Sequence, residues 1–291
     1  MKPAPFEYFA PATLDEALLL LGEHGYDAKI LAGGQSLVPT MNFRLSQPTV
    51  LIDINNIAEL SHITTADDGT TRIGGLTRQR TVERSALIAK RAPLLYETIP
   101  HIAHVQIRNR GTIGGSLAHA DPAAELPPVS VTLDARFRLQ SASGNRWVAA
   151  RDFYIGLFTT DLAPNELLVE MAIPPTPART GYAIHEIARR HGDYAIVGVS
   201  TAVTLDEAGN CADAKIAFLS VGDGLVEAIQ AIQALIGNTP TEAAITEAAE
   251  LAATVDIDPT GDIHATAKYR RHLARVLTKR ALSQAVERAK I

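Results

Sequence analysis

The sequence is poorest in cysteine: Cys211 stands alone. One thiol makes no internal disulfide, cannot hold a four-thiolate iron–sulfur cluster, and excludes every cysteine-rich structural zinc arrangement. Such a chain is expected in a reducing cytoplasm. A basic excess is also missing. The 27 Lys and Arg stand against 32 Asp and Glu, a formal net charge of −5, so no surplus exists to displace the counterions of a nucleic-acid backbone. Long hydrophobic runs are missing too: the longest aliphatic stretch, residues 17–21, is far below the ~18 needed to cross a bilayer. Met1-Lys2-Pro3-Ala4-Pro5 does not lead into a signal-peptide core, so neither a membrane span nor export is expected. What is there, 46% hydrophobic residues in a 291-residue chain, suffices for the cores of about two domains.

Without low-complexity tracts, the domain limits are read from punctuation and hydrophobic period. Ile173-Pro174-Pro175-Thr176-Pro177 is the clearest break, because prolines at this density continue neither a helix nor a central strand. Upstream, Thr13-Leu14-Asp15-Glu16 reads as a capping box opening a helix that stops at Gly25. Residues 28–32, Val50-Leu51-Ile52-Asp53-Ile54 and Arg72-Ile73-Gly74-Gly75 read as strands, and residues 81–104 as helix interrupted at Pro93 and Pro100. Strands alternating with helices give an α+β or α/β unit. Downstream, residues 183–187, 196–205 and 214–221 read as three strands, followed by two or three helices. The last helix is amphipathic, with Tyr269, Leu273, Val276, Leu277 and Ala281 forming its apolar stripe; its basic residues form an ordinary solvent face.

Two glycine turns carry the chemical signal. In the first, a strand runs into Gly33-Gly34-Gln35-Ser36 and then a helix. Paired glycines reach positive φ and leave no Cβ in the way, so successive N–H groups can point at one anion, helped by the helix start. The second, Thr112-Ile113-Gly114-Gly115-Ser116, sits between a cationic patch, Arg108-Asn109-Arg110, and two carboxylates, Asp121 and Glu125. Phosphates and sugar hydroxyls both suit such a mixture. Neither turn is a Gly-x-Gly-x-x-Gly fingerprint or a phosphate loop, and a tight turn without ligand remains the alternative for each. Gly74-Gly75 has no polar surroundings and reads as a plain turn.

Three segments carry a resemblance: Ala32-Gly33-Gly34-Gln35-Ser36-Leu37, Arg110-Gly111-Thr112-Ile113-Gly114-Gly115-Ser116, and Ala120-Asp121-Pro122-Ala123-Ala124-Glu125-Leu126-Pro127-Pro128. They resemble the FAD loops of the flavoprotein subunit of molybdenum hydroxylases, the family of xanthine dehydrogenase and carbon monoxide dehydrogenase. The likeness extends over essentially the whole chain, through Phe6-x-Tyr8-x-x-Pro11-x-Thr13-x-x-Glu16-Ala17, Arg189-x-x-Gly192-Asp193-Tyr194-Ala195 and the terminal helix beginning Tyr269-Arg270. It implies an α+β FAD-binding domain of the p-cresol methylhydroxylase and vanillyl-alcohol oxidase type over residues 1–175, with subdomains about 1–57 and 58–175. A C-terminal domain over residues 178–291, with a three-stranded antiparallel sheet and helices, follows. By the same resemblance Ala32, Gly33, Gly34, Gln35, Ser36 and Leu37, with Thr112, Gly114, Gly115 and Ser116, close on the pyrophosphate and ribityl chain. Glu125 is a polar cofactor contact, Ile102 and Leu168 are apolar flanks, and Tyr194 covers the isoalloxazine.

Two positions qualify the likeness. Many relatives have a lysine in the strand before the Arg-Arg pair, whereas this chain has Glu186, so no cationic flavin contact transfers there. Oxidases that tether FAD often use a histidine in the first loop; Gln35 stands here, which implies noncovalent FAD. His101, His104 and His119 lack further ligands at metal spacing and read as hydrogen-bonding or solvent-exposed groups, and Cys211 as packing. Asp53 reads as an adenosine contact or a turn residue, and Asp121 with Glu125 as cofactor contacts rather than an acid/base pair. No catalytic residue and no metal ligand is identified. The resemblance implies an electron-transfer subunit whose [2Fe-2S] clusters and molybdopterin cofactor lie on a small and a large partner chain, in a heterotrimer or a dimer of heterotrimers. A stand-alone FAD-dependent reductase or oxidase of the same fold is the alternative, and a nucleotide-binding scaffold that has lost flavin is a third reading.

Overall fold

Thr13 Oγ1 accepts from the Glu16 amide at 3.2 Å, and Glu16 Oε2 accepts from the Thr13 amide at 3.3 Å, so the capping box forms. It opens the first helix of the computed structural model, which describes residues 1–291. Around that helix the chain lays down β1 (Glu7–Phe9), α1 (Leu14–His24), β2 (Ala28–Leu31), α2 (Leu37–Asn42) and β3 (Val50–Asp53). The three strands form a parallel sheet in the order β1-β3-β2. Val50, Leu51 and Ile52 of the middle strand are all buried, as expected where both faces are covered, and Ala17, Leu18 and Leu21 of α1 join Val50 and Ile52 in one core.

A second sheet follows, built from β4 (Ile63–Thr65), β5 (Thr71–Gly74), β6 (Arg136–Ser141) and β7 (Gly144–Ala149), with short helices α3 (Gln79–Glu83), α4 (Ala86–Arg91), α5 (Pro93–Thr98), α6 (Val105–Arg108), α7 (Ile113–His119) and α8 (Leu126–Thr132) between β5 and β6. After β7 come α9 (Ala150–Phe153), a small hairpin of β8 (Tyr154–Gly156) and β9 (Thr159–Thr160), and then β10 (Leu167–Ile173), which returns to the centre of the sheet in the order β4-β5-β10-β6-β7. Every residue of β10 is buried. Glu170 tolerates this because Arg72 and His62 reach its two carboxylate oxygens at 3.3 and 3.2 Å.

The third sheet is antiparallel: β11 (Thr180–Ala188), β12 (Ala195–Leu205), β13 (Cys211–Leu219) and the edge pair β14 (Val226–Glu227). It has four strands, not the three expected, because the two residues of β14 are too short to leave a periodic signature. Helices α10 (Ile229–Leu235), α11 (Glu242–Leu251) and α12 (Ala267–Ala289) cover it, with α12 packed along β11 and β12. Leu273, Leu277 and Ala281 of the expected stripe are buried, but Tyr269 points outward and Arg270 takes the inner place. Arg270 Nη1 donates to the carbonyls of Ile196 and Ser220, tying α12 to the ends of β12 and β13. Helix α8, with all seven residues buried, packs against β12 and β13, so the second and third sheets share a seam. No helix is long and apolar enough to cross a membrane.

Candidate functional site

The two glycine turns come together. A Cβ on Gly33 would stand 2.7 Å from the Arg110 carbonyl oxygen and 2.9 Å from Gly111 Cα, so the loops touch backbone to backbone and only glycine permits it. Gly34 is needed for a different reason: its φ is +72°. A relay holds the pair in register. Tyr8 donates to Asp53 at 2.7 Å, Asp53 Oδ1 accepts from the Asn55 amide at 2.9 Å, and Asn55 Nδ2 donates to the Ala32 carbonyl at 2.9 Å. Arg78 then bridges the loops, donating to Asn55 Oδ1 at 2.6 Å and to the Arg110 carbonyl. Asp53 thus holds this turn, and although burial works against them, these bonds hold its carboxyl below its ordinary value.

The backbone amides separate the two loops functionally. From Gly33 through Leu37 none donates to another protein group. In the second loop they are occupied: Ile113 N–H donates to the Thr77 carbonyl, Gly114 N–H to the Gly75 carbonyl at 2.8 Å, and Gly115 N–H to Thr112 Oγ1 at 3.1 Å. Amides free to meet an anion are thus found in the first loop and not in the second. Helix dipoles add little, since α2 has six residues and α7 seven. Gly74-Gly75 is not a plain turn: a Cβ on Gly114 would lie 2.8 Å from Gly75 Cα, so Gly75 is the wall on which the second loop rests.

Beside the first loop is an open pocket of about 380 Å³ lined by Leu31, Gly33, Gly34, Gln35, Val38, Pro39, Ile107 and Arg110. Arg110 is a cation at its rim. Arg108, expected in the same patch, is turned inward, 5% exposed, paired with Glu83 at 3.0 Å and donating to the Ile102 carbonyl at 2.8 Å. Sequence reasoning missed Asn55, Arg78 and Ile107; their signal is spatial, since residues 55 and 78 lie far from either loop in the chain.

Along the seam between the second and third sheets lie the remaining residues. Glu125 is buried just before α8, and it does not share a helical face with Asp121, which bonds the Ala123 amide in the preceding turn. Glu186 of β11 reaches across to His101, with Oε1 to Nδ1 at 3.3 Å. Burial first, and then the Glu186 charge, push Glu125 up to about 8. The Glu186 hydrogen bond holds His101 above the ordinary imidazole value. Gly192, with φ +89°, lets the loop bearing Tyr194 settle on His104 and Ala103, leaving the Tyr194 ring 70% exposed. Ile102 and Leu168 are apolar and buried, Ile102 close to this seam and Leu168 on β10, where its carbonyl crowds Gly75. The His119 ring lies tilted against Phe158, with centroids 5.1 Å apart. No three His, Cys, Asp or Glu side chains gather as a metal site. Cys211 is buried, and burial pushes its thiol up to about 11, away from nucleophilic use.

Free amides beside a cationic rim, with glycines where a Cβ would collide, offer donors suited to an anionic ligand. Comparison with known proteins agrees. Residues 4–176 match the model of the FAD binding domain in molybdopterin dehydrogenase, and residues 182–285 match the CO dehydrogenase flavoprotein C-terminal domain. The 6-hydroxypseudooxynicotine dehydrogenase complex subunit alpha of Paenarthrobacter nicotinovorans is 44% identical over 100% of this chain and 97% of its own length. The carbon monoxide dehydrogenase medium chain of Hydrogenophaga pseudoflava is 38% identical over 98% of each chain. A chain of the solved carbon monoxide dehydrogenase of Hydrogenophaga pseudoflava, in a form lacking the Mo-pyranopterin moiety, superposes with a TM-score of 0.95 at 39% identity, covering 99% of both chains. With both parts of the chain matched and relatives aligned end to end, this protein belongs to the family of FAD-binding flavoprotein subunits of molybdenum-dependent dehydrogenases.

Proposed function

We propose that the chain carries noncovalent FAD in a heteromeric molybdenum hydroxylase, taking electrons from iron–sulfur clusters on a partner chain and delivering them to an external acceptor. The observation that carries this reading is the run of unengaged amides from Gly33 through Leu37 beside Arg110. Bound flavin supplies the exchange between single-electron donors and a two-electron acceptor.

The chain's own residues hold and orient that group. Gly33, Gly34, Gln35, Ser36 and Leu37 offer donors to the pyrophosphate, with Ala32 fixed behind them by Asn55. Thr112, Gly114, Gly115 and Ser116 form the opposite wall, made rigid by bonds to Thr77 and Gly75. Glu125 and Ile102 face the ring end, Leu168 supports the wall from β10, and Tyr194 covers the ring. In this reading FAD binds within residues 1–175, divided at about 57/58, while residues 178–291 bring the Tyr194 loop to it.

A single thiol leaves the chain unable to hold iron–sulfur clusters, so they belong to a small partner and the molybdopterin cofactor to a large one, as a cytoplasmic heterotrimer or its dimer. The names of the relatives, a complex subunit and a medium chain, support a subunit over a stand-alone reductase or oxidase. Purification of the chain with its neighbours, followed by metal and flavin analysis, tests this. Flavin on this chain, with iron and molybdenum only on co-purifying chains, is expected. Substrate turnover by this chain alone would favour the stand-alone enzyme.

A further inference from the structure

The second sheet turns its two faces to different surroundings. Phe137 and Leu139 of β6 point into the core, so Arg136 and Arg138, which alternate with them, lie on the opposite face. The strand register sets what stands beside them. Arg72 of β5, Ala172 of β10 and Arg136 are paired in one row across the sheet, and Glu170 of β10, Arg138 and Trp147 of β7 in the next. Ala172 is small, which leaves room above it for long neighbours. The Arg72 and Arg136 guanidinium carbons lie 5.9 and 5.8 Å from the centroid of the Trp147 ring, the chain's single tryptophan.

The charges on this face do not balance. Arg72 is answered by Glu170 at 3.3 Å and by Asp68 from the β4–β5 turn. Arg138 bonds only the neutral Gln140, Nη2 to Oε1 at 3.0 Å, and no acidic side chain comes within 4 Å of Arg136 or Arg138. The buried Nε atoms of Arg72 and Arg138 donate to nothing. Arg136 is exposed, and the Arg72 side chain is 40% exposed. In a chain of net charge −5 this is a local cationic excess on a rigid support. Tryptophan beside arginines is also the composition that dominates the binding energy of protein interfaces.

We propose that this face of the second sheet docks an acidic surface of a partner subunit, with carboxylates seated on Arg136 and Arg138 and the Trp147 ring as the apolar anchor. The inference rests on the heteromeric complex proposed above. Charge complementarity selects the occupant, because a guanidinium presents a planar fork of donors that matches a carboxylate. A second copy of this chain is a poor fit, since a two-fold contact centred here would set Arg136 and Arg138 against their own copies. Nucleic acid is a poor fit as well, for the net charge of the chain is negative.

The test is arginine labelling with phenylglyoxal, read residue by residue by mass spectrometry, on the full-length chain alone and on the complex purified with its partner chains. Arg136 should be labelled readily in the free chain and at least about tenfold more slowly in the complex. In parallel, Arg136→Glu should weaken association with the partner chains by at least about tenfold, and Arg136→Lys should retain most of it. Added salt should weaken the wild-type association more than that of Arg136→Glu. The urea unfolding and FAD affinity of Arg136→Glu should match wild type, which separates lost docking from misfolding. Equal labelling of Arg136 in chain and complex, or an Arg136→Glu chain that associates as tightly as wild type, would overturn the proposal. Slower labelling of the free chain at raised concentration, or with inorganic phosphate, would give the face to a second copy or to a small anion and overturn it too. A chain that purifies without partners sinks the complex reading and the docking with it; a complex assembled with Arg136 open sinks the docking alone.

Discussion

The two glycine loops use the same dipeptide for different work. In the first, Gly33 and Gly34 are half-buried and the amides that follow are free; in the second, Gly111 through Gly114 are buried and the amides that follow are bonded to Gly75, Thr77 and Thr112. One loop leaves its donors free, and the other is held rigid behind it. A sequence motif rich in glycine therefore does not by itself say which groups face the cofactor. The difference lies in where the backbone hydrogen bonds go.

Substitutions can separate the two roles. The largest effect is expected at Gly114→Val, where the new side chain meets Gly75 backbone: the apo chain should lose about 3 kcal/mol in urea unfolding, and FAD binding with it. Gly75→Val should cost as much for a different reason, because its side chain meets the Leu168 carbonyl of β10. Gly33→Ala comes next. Its Cβ pushes the loops apart at Arg110, so fluorescence titration should show FAD affinity falling about a hundredfold, or roughly 3 kcal/mol, while apo stability drops by only about 1. Gly34→Ala is milder, because its nearest neighbours are the yielding side chains of Leu31 and Val38; a left-handed penalty of about 1 kcal/mol should appear in both measurements. Thr112→Val is the smallest: loss of the cap on Gly115 should lower the unfolding free energy by about 1 kcal/mol or less and weaken FAD far less than Gly33→Ala does. If Thr112→Val weakened FAD as much as Gly33→Ala, the division of labour between the loops would be wrong.

Much of this was legible in the chain. The capping box, the strands running into glycine and the proline break after β10 declare themselves through local chemistry. Strand β10 does not, because a fully buried strand has no alternation and Glu170 interrupts its apolar run. The hairpin of β6 and β7 is masked by its polar outer residues. At the site, the loops were readable, but the Asp53, Asn55 and Arg78 relay and the wall at Gly75 depend on contacts between residues distant in sequence. Arg108 and Arg110 show the limit most simply: two residues apart in one basic patch, one is buried against Glu83 and the other lines the pocket.

The central claim is that the first loop grips phosphate. Titration of the purified apo chain with FAD and then with riboflavin, which carries the ring and ribityl chain without phosphates, tests it most directly. Charge-assisted bonds from the amides between Gly33 and Leu37 and from Arg110 should make FAD bind at least about a hundredfold more tightly, with stoichiometric release of intact FAD on denaturation. Equal affinity for riboflavin and FAD, or no flavin binding by a folded chain, would contradict the account.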